Sequence, residues 1–245
     1  MSVNDDLPYI CCVKKLRFLL IFTTSLLAAQ DHLSGFNMLS ATYKISPDWM
    51  AYAEGQTRAR KDFTHIDYYE VKGGIGYNYI KNHQLFAGLG RYGTYESKKI
   101  SQEEFRLWLQ YTFTQRFGRL KLDHRARAEH RFFYASQTGD HTEANRYRYR
   151  SSATLPLNKS KVEGETFFVN AFEELFFGSR EPNFKRNRTF AGFGYQFNNS
   201  LSATTGYMFQ REFAEKGNEN YHFMYFSLNF TFDSSDDERS IPMVD

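Results

Sequence analysis

"EFRLWLQYTF", residues 104–113, alternates polar and apolar side chains without a break. In an extended strand successive side chains point to opposite faces. Phe105, Leu107, Leu109, Tyr111 and Phe113 therefore share one side, and Glu104, Arg106, Trp108, Gln110 and Thr112 the other. In "DHRARAEHRFF", residues 123–133, Arg125, Arg127, Glu129 and Arg131 fall on one side with Ala126 and Ala128 opposite, and in "RYRYR", residues 146–150, Arg146, Arg148 and Arg150 are in phase. A soluble sandwich would solvate the charged side and bury the other against a second sheet. Which side of these strands is covered decides the fold.

Working outward, the alternation continues through segments near 36–46, 49–61, 66–80, 83–97, 103–117, 119–135, 143–157, 162–178, 185–198, 201–214 and 220–233. No amphipathic helical run competes with them. Most exceed the roughly 5–6 residues of an ordinary soluble strand and meet the roughly 9–11 that a tilted membrane-spanning strand needs. Tight connections ("SPD" at 46–48, "KN" at 81–82, "NN" at 198–199) alternate with longer polar ones ("KDFTH", "QTGDHTE", "GSREPN", "EKGNEN"). That is the rim asymmetry of an outer-membrane barrel with its short turns in the periplasm. With no helix to cover the recurring apolar face, lipid is the economical partner. The expected fold is all-β, an antiparallel up-and-down transmembrane β-barrel of about 10–12 strands. Eleven segments are counted, but antiparallel closure wants an even number, and twelve is favoured over ten or over a parallel first–last pair.

Membrane-facing residues on this reading include Leu107 and Leu109 and, in the last strand, Phe226, Leu228, Phe230 and Phe232. Lumen-lining residues are Glu54, Arg58, Arg60, Lys72, Glu104, Arg106, Arg125, Arg127, Glu129, Arg131, Arg146, Arg148, Arg150, Glu174, Arg186, Arg188 and Glu212; the adjacent Glu173 makes the phase at Glu174 ambiguous. Arg or Lys turned toward lipid would cost about 2–4 kcal/mol each at mid-membrane, which favours this phase. Aromatics near strand ends (Tyr43, Trp49, Tyr68, Tyr79, Tyr95, Phe197, Tyr221) read as interfacial girdles. Glycines in "GGIGY" (73–77), "AGLGRYG" (87–93) and "AGFGYQF" (191–197) lack the strand–loop–helix context and the lysine of a phosphate loop. They read instead as relief of barrel curvature or room for a neighbouring ring.

Of the 245 residues, 18% are aromatic, and the net charge of +3 is too mild to argue for a nucleic-acid partner. "VKKLRFLLIFTTSLLAAQ", residues 13–30, runs basic, apolar, then small, as a secretory signal peptide does. The expected organisation is a signal peptide over 1–29, with 1–12 an over-extension upstream of a start at Val13, a barrel over 30–233 and an acidic tail over 234–245. Both cysteines, Cys11 and Cys12, precede the apolar run, which excludes a lipid anchor after it and leaves no disulfide in the exported part. "YFSLNFTF", residues 225–232, resembles the C-terminal signature read by the barrel assembly machinery, with Ser227 in place of the usual glycine. The expected location is therefore the outer membrane, and the expected partners are its lipid and that machinery.

"EFRLWLQY", "RARAEHRFF", "NRYRYRSSATLPL" and "NRTFAGFGYQF" together resemble the DUF2490 family of uncharacterised outer-membrane barrel proteins of Gram-negative bacteria. The likeness maps onto Arg125 to Phe132, Arg146 to Arg150 and Asn187 to Gly194, and implies a barrel and a location without a substrate or reaction. The arginine-rich interior suggests a narrow, porin-like, anion-attracting channel or a ligand-binding barrel, and a continuous water path between Arg127, Arg148 and Arg188 is what would distinguish it from a filled lumen. Two alternatives stay open. One is a self-filled lumen with partner-binding outer loops; the other is an outer-membrane hydrolase drawing on Ser136 or Thr138 and His141. No Ser, His and acid set converges in sequence, His124 and His130 fall on the lipid phase, and no metal-ligand spacing occurs. No enzyme activity, metal or cofactor is expected.

Overall fold

The computed structural model describes residues 33–59, 63, 65–215 and 217–234. The signal-peptide segment, Arg60 and the acidic tail beyond Ser234 lie outside the described residues. The described chain is all-β: β1 (Leu33–Lys44), β2 (Trp49–Arg58), β3 (Tyr68–Ile80), β4 (His83–Glu96), β5 (Lys99–Phe117), β6 (Leu120–Ala135), β7 (His141–Pro156), β8 (Thr166–Gly178), β9 (Phe184–Asn198), β10 (Leu201–Glu212) and β11 (Glu219–Asp233). Each strand pairs with its sequence neighbours, and β1 meets β11 to close a single barrel.

The eleven strands match the eleven segments counted and fall within the expected 10–12; the favoured twelve and a wholly antiparallel wall are corrected, because β1 and β11 pair in parallel and make the barrel mixed. An odd number of up-and-down strands leaves the first and last running the same way, so parallel pairing is the only closure that leaves no edge. A parallel ladder is slightly weaker per residue, but this seam is long, from Leu33 opposite His222 to Lys44 opposite Asp233. Side chains reinforce it: Ser40 donates to Asn229 at 2.8 Å and Lys44 pairs with Asp233 at 2.5 Å.

β11 ends at one rim, called here the C-terminal rim, together with the connections 45–48, 81–82, 118–119, 157–165 and 199–200; the start of β1 lies at the opposite rim with 59–67, 97–98, 136–140, 179–183 and 213–218. Two connections break the expected asymmetry. At 97–98, Ser97 and Lys98 both take positive φ (50° and 65°), the geometry of a tight two-residue hairpin, so β5 begins at Lys99. At 157–165, Asn158 accepts from the Phe167 backbone N–H at 2.8 Å and donates to the Glu165 carbonyl at 2.9 Å. That side chain folds the segment into a loop, where the alternation had suggested that β8 starts at 162.

Pleating divides the barrel wall. Leu107, Leu109, Phe226, Leu228 and Phe232 point outward and are exposed, Leu109 most of all at 68%, and Phe230 shares their face half-buried. The outward apolar belt continues through Leu39, Val71, Ile75, Leu85 and Leu89. Tyr43, Trp49, Tyr79 and Phe197 are exposed near strand ends. Tyr68 and Tyr221, read as girdle residues, turn inward instead: Tyr68 shares the phase of Glu70 and donates to it at 3.0 Å, and Tyr221 stacks on the buried Phe223. The glycines make room for rings. A Cβ on Gly88 would lie 2.3 Å from the Trp108 ring, and one on Gly194 2.2 Å from Phe168.

Candidate functional site

Inward pleats of the middle strands carry the arginines, and cross-strand register sets which of them meet. Arg106 lies directly opposite Arg131, Arg127 opposite Arg148 and Arg125 opposite Arg150. Like charges so placed repel. The arrangement holds because carboxylates sit diagonally between them. Glu104 takes a fork from Arg131 (2.7 and 2.9 Å) and a bond from Arg106 at 2.7 Å. Glu129 takes Arg146 at 2.6 Å and Arg148 at 2.9 Å, with Arg106 and Arg127 each at 3.8 Å. Glu174 takes Arg148 at 2.6 Å, Arg125 at 2.7 Å and Arg188 at 3.7 Å. The ambiguous phase of β8 is thereby settled: Glu174 is buried inside, while Glu173 faces outward and accepts from Thr189 at 2.5 Å.

A second group lies on β2 and β3, where Lys72 bridges Glu54 (2.7 Å) and Glu70 (2.9 Å) and Arg58 pairs with Glu70 at 3.1 Å. Arg186 pairs with Glu212 at 2.7 Å nearer the rim. Two arginines also donate to neutral oxygen: Arg127 donates twice to the Gln110 amide oxygen (2.8 and 2.6 Å), and Arg188 twice to that of Gln210 (3.1 and 2.7 Å). In this part of the barrel eleven cationic side chains (Arg58, Lys72, Arg106, Arg125, Arg127, Arg131, Arg146, Arg148, Arg150, Arg186, Arg188) face six carboxylates (Glu54, Glu70, Glu104, Glu129, Glu174, Glu212). Pairing leaves five positive charges in excess among the described residues.

Many of these groups surround a cavity of about 210 Å³ toward the rim opposite the C-terminus. Glu54, Arg58, Lys72, Glu104, Arg106, Arg131, Arg146, Arg148, Arg150, Glu174, Arg186, Arg188 and Glu212 all line it, along with Glu70. Arg148 and Arg188 line this cavity, whereas Arg125, Arg127 and Glu129 do not; the Arg127 guanidinium lies 5.1 Å from the centre of the Trp108 ring. A separate space of about 1440 Å³ lies at the C-terminal rim, lined by Lys44, Lys81, Arg116, Asn229 and Thr231 among others. Between the two, the interior is filled by Met50, Tyr52, Phe86 and Trp108 on one side and by Phe190 with its aromatic neighbours on the other. One small void of about 20 Å³ lies in this septum, beside Arg125, Arg150, Thr154 and Asn170.

Sequence reasoning missed Glu70, buried beside Lys72, and the aromatic content of the lumen. Phe172 and Phe176 share the inward phase of Glu174, so fixing that one phase would have revealed them. Phe172 lies under Arg150 at 3.7 Å, and Tyr92 under Arg106 at 3.7 Å. The residues weighed for hydrolysis have other contacts: Thr138 donates to Asp140 at 2.6 Å, and His141 packs on Tyr134 at 5.0 Å. On the outer face, His124 contacts the Tyr149 hydroxyl at 2.9 Å and His130 the Asn145 side chain at 2.7 Å.

Residues 33–221 match the model of a family described as "Protein of unknown function (DUF2490)". No curated protein matches the chain.

Proposed function

The chain belongs to the DUF2490 family, and we propose that it is an outer-membrane β-barrel that holds an anion in an arginine-lined chamber, its lumen closed at mid-depth. The observation that carries this reading is the charge around the cavity of about 210 Å³: nine cationic side chains line it against five carboxylates. Burying unbalanced charge is costly unless a counter-charge accompanies it. A bound anion supplies one.

Membrane insertion is supported by the uncovered apolar belt and by strands of 10 to 19 residues, lengths that suit a tilted span. The signal-like N-terminus and the aromatic last strand point to export and to handling by the barrel assembly machinery. With the C-terminal rim in the periplasm, the chamber faces outward. Its outermost charges, Arg131, Arg186 and Glu212, are 20–29% exposed, and the deeper Arg148 and Glu174 are 10% and 1%. The chamber thus opens at the rim opposite the C-terminal one and closes below. We read it as a binding barrel rather than a hydrolase, since the polar groups that converge are guanidiniums and carboxylates.

A second reading has its own support. The extensive Arg–carboxylate bonding, with Glu129 and Glu174 each serving several arginines, suits a self-satisfied plug whose outer loops bind a partner. One experiment separates the two: the mature chain is refolded in vesicles, then examined by planar-bilayer recording and by anion titration. The anion-chamber reading expects a folded, heat-modifiable barrel with no steady conductance and saturable anion binding. Stable open-pore conductance would refute the closed lumen, and a silent barrel that binds no anion would favour the plug.

A further inference from the structure

We propose that the chamber binds a multivalent oxyanion of the phosphate type, seated among Arg146, Arg148, Arg186 and Arg188. This rests on the anion-chamber reading and narrows its ligand.

The four guanidinium carbons lie 5.3, 4.7, 5.3 and 5.3 Å from the centre of one ring, that of Phe176, which is only 1% exposed. Four positive charges therefore converge around a single apolar side chain. The ring holds them through its quadrupole but brings no counter-charge. Their carboxylate partners, Glu129, Glu174 and Glu212, are fewer than the arginines, and Glu129 and Glu174 are shared with Arg106, Arg125 and Arg127. Arg188 faces Glu174 across the β8 ladder, at 3.7 Å, but that carboxylate also serves Arg148 and Arg125, and across the β10 ladder Arg188 faces the neutral Gln210.

The shape of the donors narrows the class further. A guanidinium is a planar fork that pairs bidentately with carboxylate or phosphate oxygens. A monocarboxylate has oxygens for one fork, and chloride has none of the directionality. A tetrahedral oxyanion of charge two or more can accept from several forks at once and offset more of the excess. The cavity of about 210 Å³ has room for such a group with ordered water, each water occupying about 30 Å³. The same chemistry is offered by a free phosphate, a phosphorylated solute and a phosphomonoester lipid headgroup.

The test uses the full mature chain refolded in neutral detergent, with calorimetric titration of pyrophosphate, inorganic phosphate, acetate and chloride at matched ionic strength. The expected order is pyrophosphate tightest, then phosphate, with acetate and chloride at least tenfold weaker than phosphate. Gln210→Glu, which adds a second carboxylate across from Arg188, should weaken phosphate at least tenfold while the barrel stays folded by circular dichroism and heat-modifiability; the outward Arg211→Gln should leave binding unchanged. Competition by micelles containing a phosphomonoester lipid, but not by a neutral lipid, would identify a headgroup as the source, and phosphate binding indifferent to them would identify a soluble ligand. Acetate and chloride binding as tightly as phosphate would overturn the proposal while leaving an anion chamber. Saturable binding of no anion would overturn both. Gln210→Glu binding phosphate like the wild type would place the site elsewhere.

Discussion

Replacing Glu174 with glutamine removes one negative charge from the centre of the network and leaves its shape. Glu174 is 1% exposed and faces Arg148 at 2.6 Å, Arg125 at 2.7 Å and Arg188 at 3.7 Å. Two unit charges about 4 Å apart interact by roughly 4 kcal/mol at an effective dielectric of about 20, and removing one partner of a buried ion pair costs about 3–5 kcal/mol. The glutamine oxygen still accepts one bond, Arg148 keeps Glu129 at 2.9 Å and Arg188 keeps Gln210. Glu174→Gln should therefore fall near the lower end, at about 3 kcal/mol. The control is Glu212→Gln, whose carboxylate pairs with Arg186 at 2.7 Å but is 29% exposed, and which should cost about 0–1 kcal/mol as surface pairs do. Urea titration of the vesicle-inserted barrel, followed by tryptophan fluorescence and gel mobility, measures both. Equal losses, or a Glu174→Gln barrel within about 1 kcal/mol of wild type, would refute the claim that this carboxylate restrains buried positive charge.

Leu228→Arg should sharply reduce folding into bilayers, since it turns a charge outward at a position that is 45% exposed, at a cost of about 2–4 kcal/mol near mid-membrane. Asn229→Arg should fold with much smaller loss, because Asn229 borders the wide space at the C-terminal rim and what is lost is its bond with Ser40, worth about 1 kcal/mol, with two longer ones to Ser227 and Ser202; equal folding yields would mean the outward face does not meet lipid. The double change Tyr52→Ala with Trp108→Ala removes two buried septum rings and should convert a silent barrel into a conducting one in bilayer recordings, whereas a folded but silent double variant would mean that other side chains close the lumen. Gly88→Ala should destabilise by about 1–3 kcal/mol through overpacking against Trp108. Adding Trp108→Leu should recover part of that loss in the same urea titration, and strictly additive losses would show that the close approach is not the cause.

Alternation revealed the strands because the two sides of this wall demand opposite polarity, and β5 and β11 satisfy that demand at nearly every position. It failed where one side chain suits both environments. A tyrosine near a strand end fits an outer girdle or a charged lumen equally well, so Tyr68 and Tyr221 were legible as strand residues but not as inward ones. "DYYEVK", residues 67–72, puts two tyrosines before Glu70, and the same ambiguity hid that carboxylate's place beside Lys72. The parallel seam could not be read from β1. Its pattern, with Phe36, Met38 and Ser40 inward and Leu39 outward, is the same whichever way its partner runs. For the site, the density of arginine and its excess over carboxylate were plain in the sequence, but how far pairing offsets that excess was not. Only register places Gln110 opposite Arg127 and Gln210 opposite Arg188, and sets Arg125 against Arg150, Arg127 against Arg148 and Arg106 against Arg131. Register also sets Glu129 opposite Arg146 and Glu174 opposite both Arg150 and Arg188, so single carboxylates are shared among several arginines, whereas Lys72 has Glu54 opposite and Glu70 beside it. The neutral glutamines and the opposed arginines keep positive charge concentrated on the wall that meets Phe176, and that concentration, more than the count of arginines, favours a chamber for an anion.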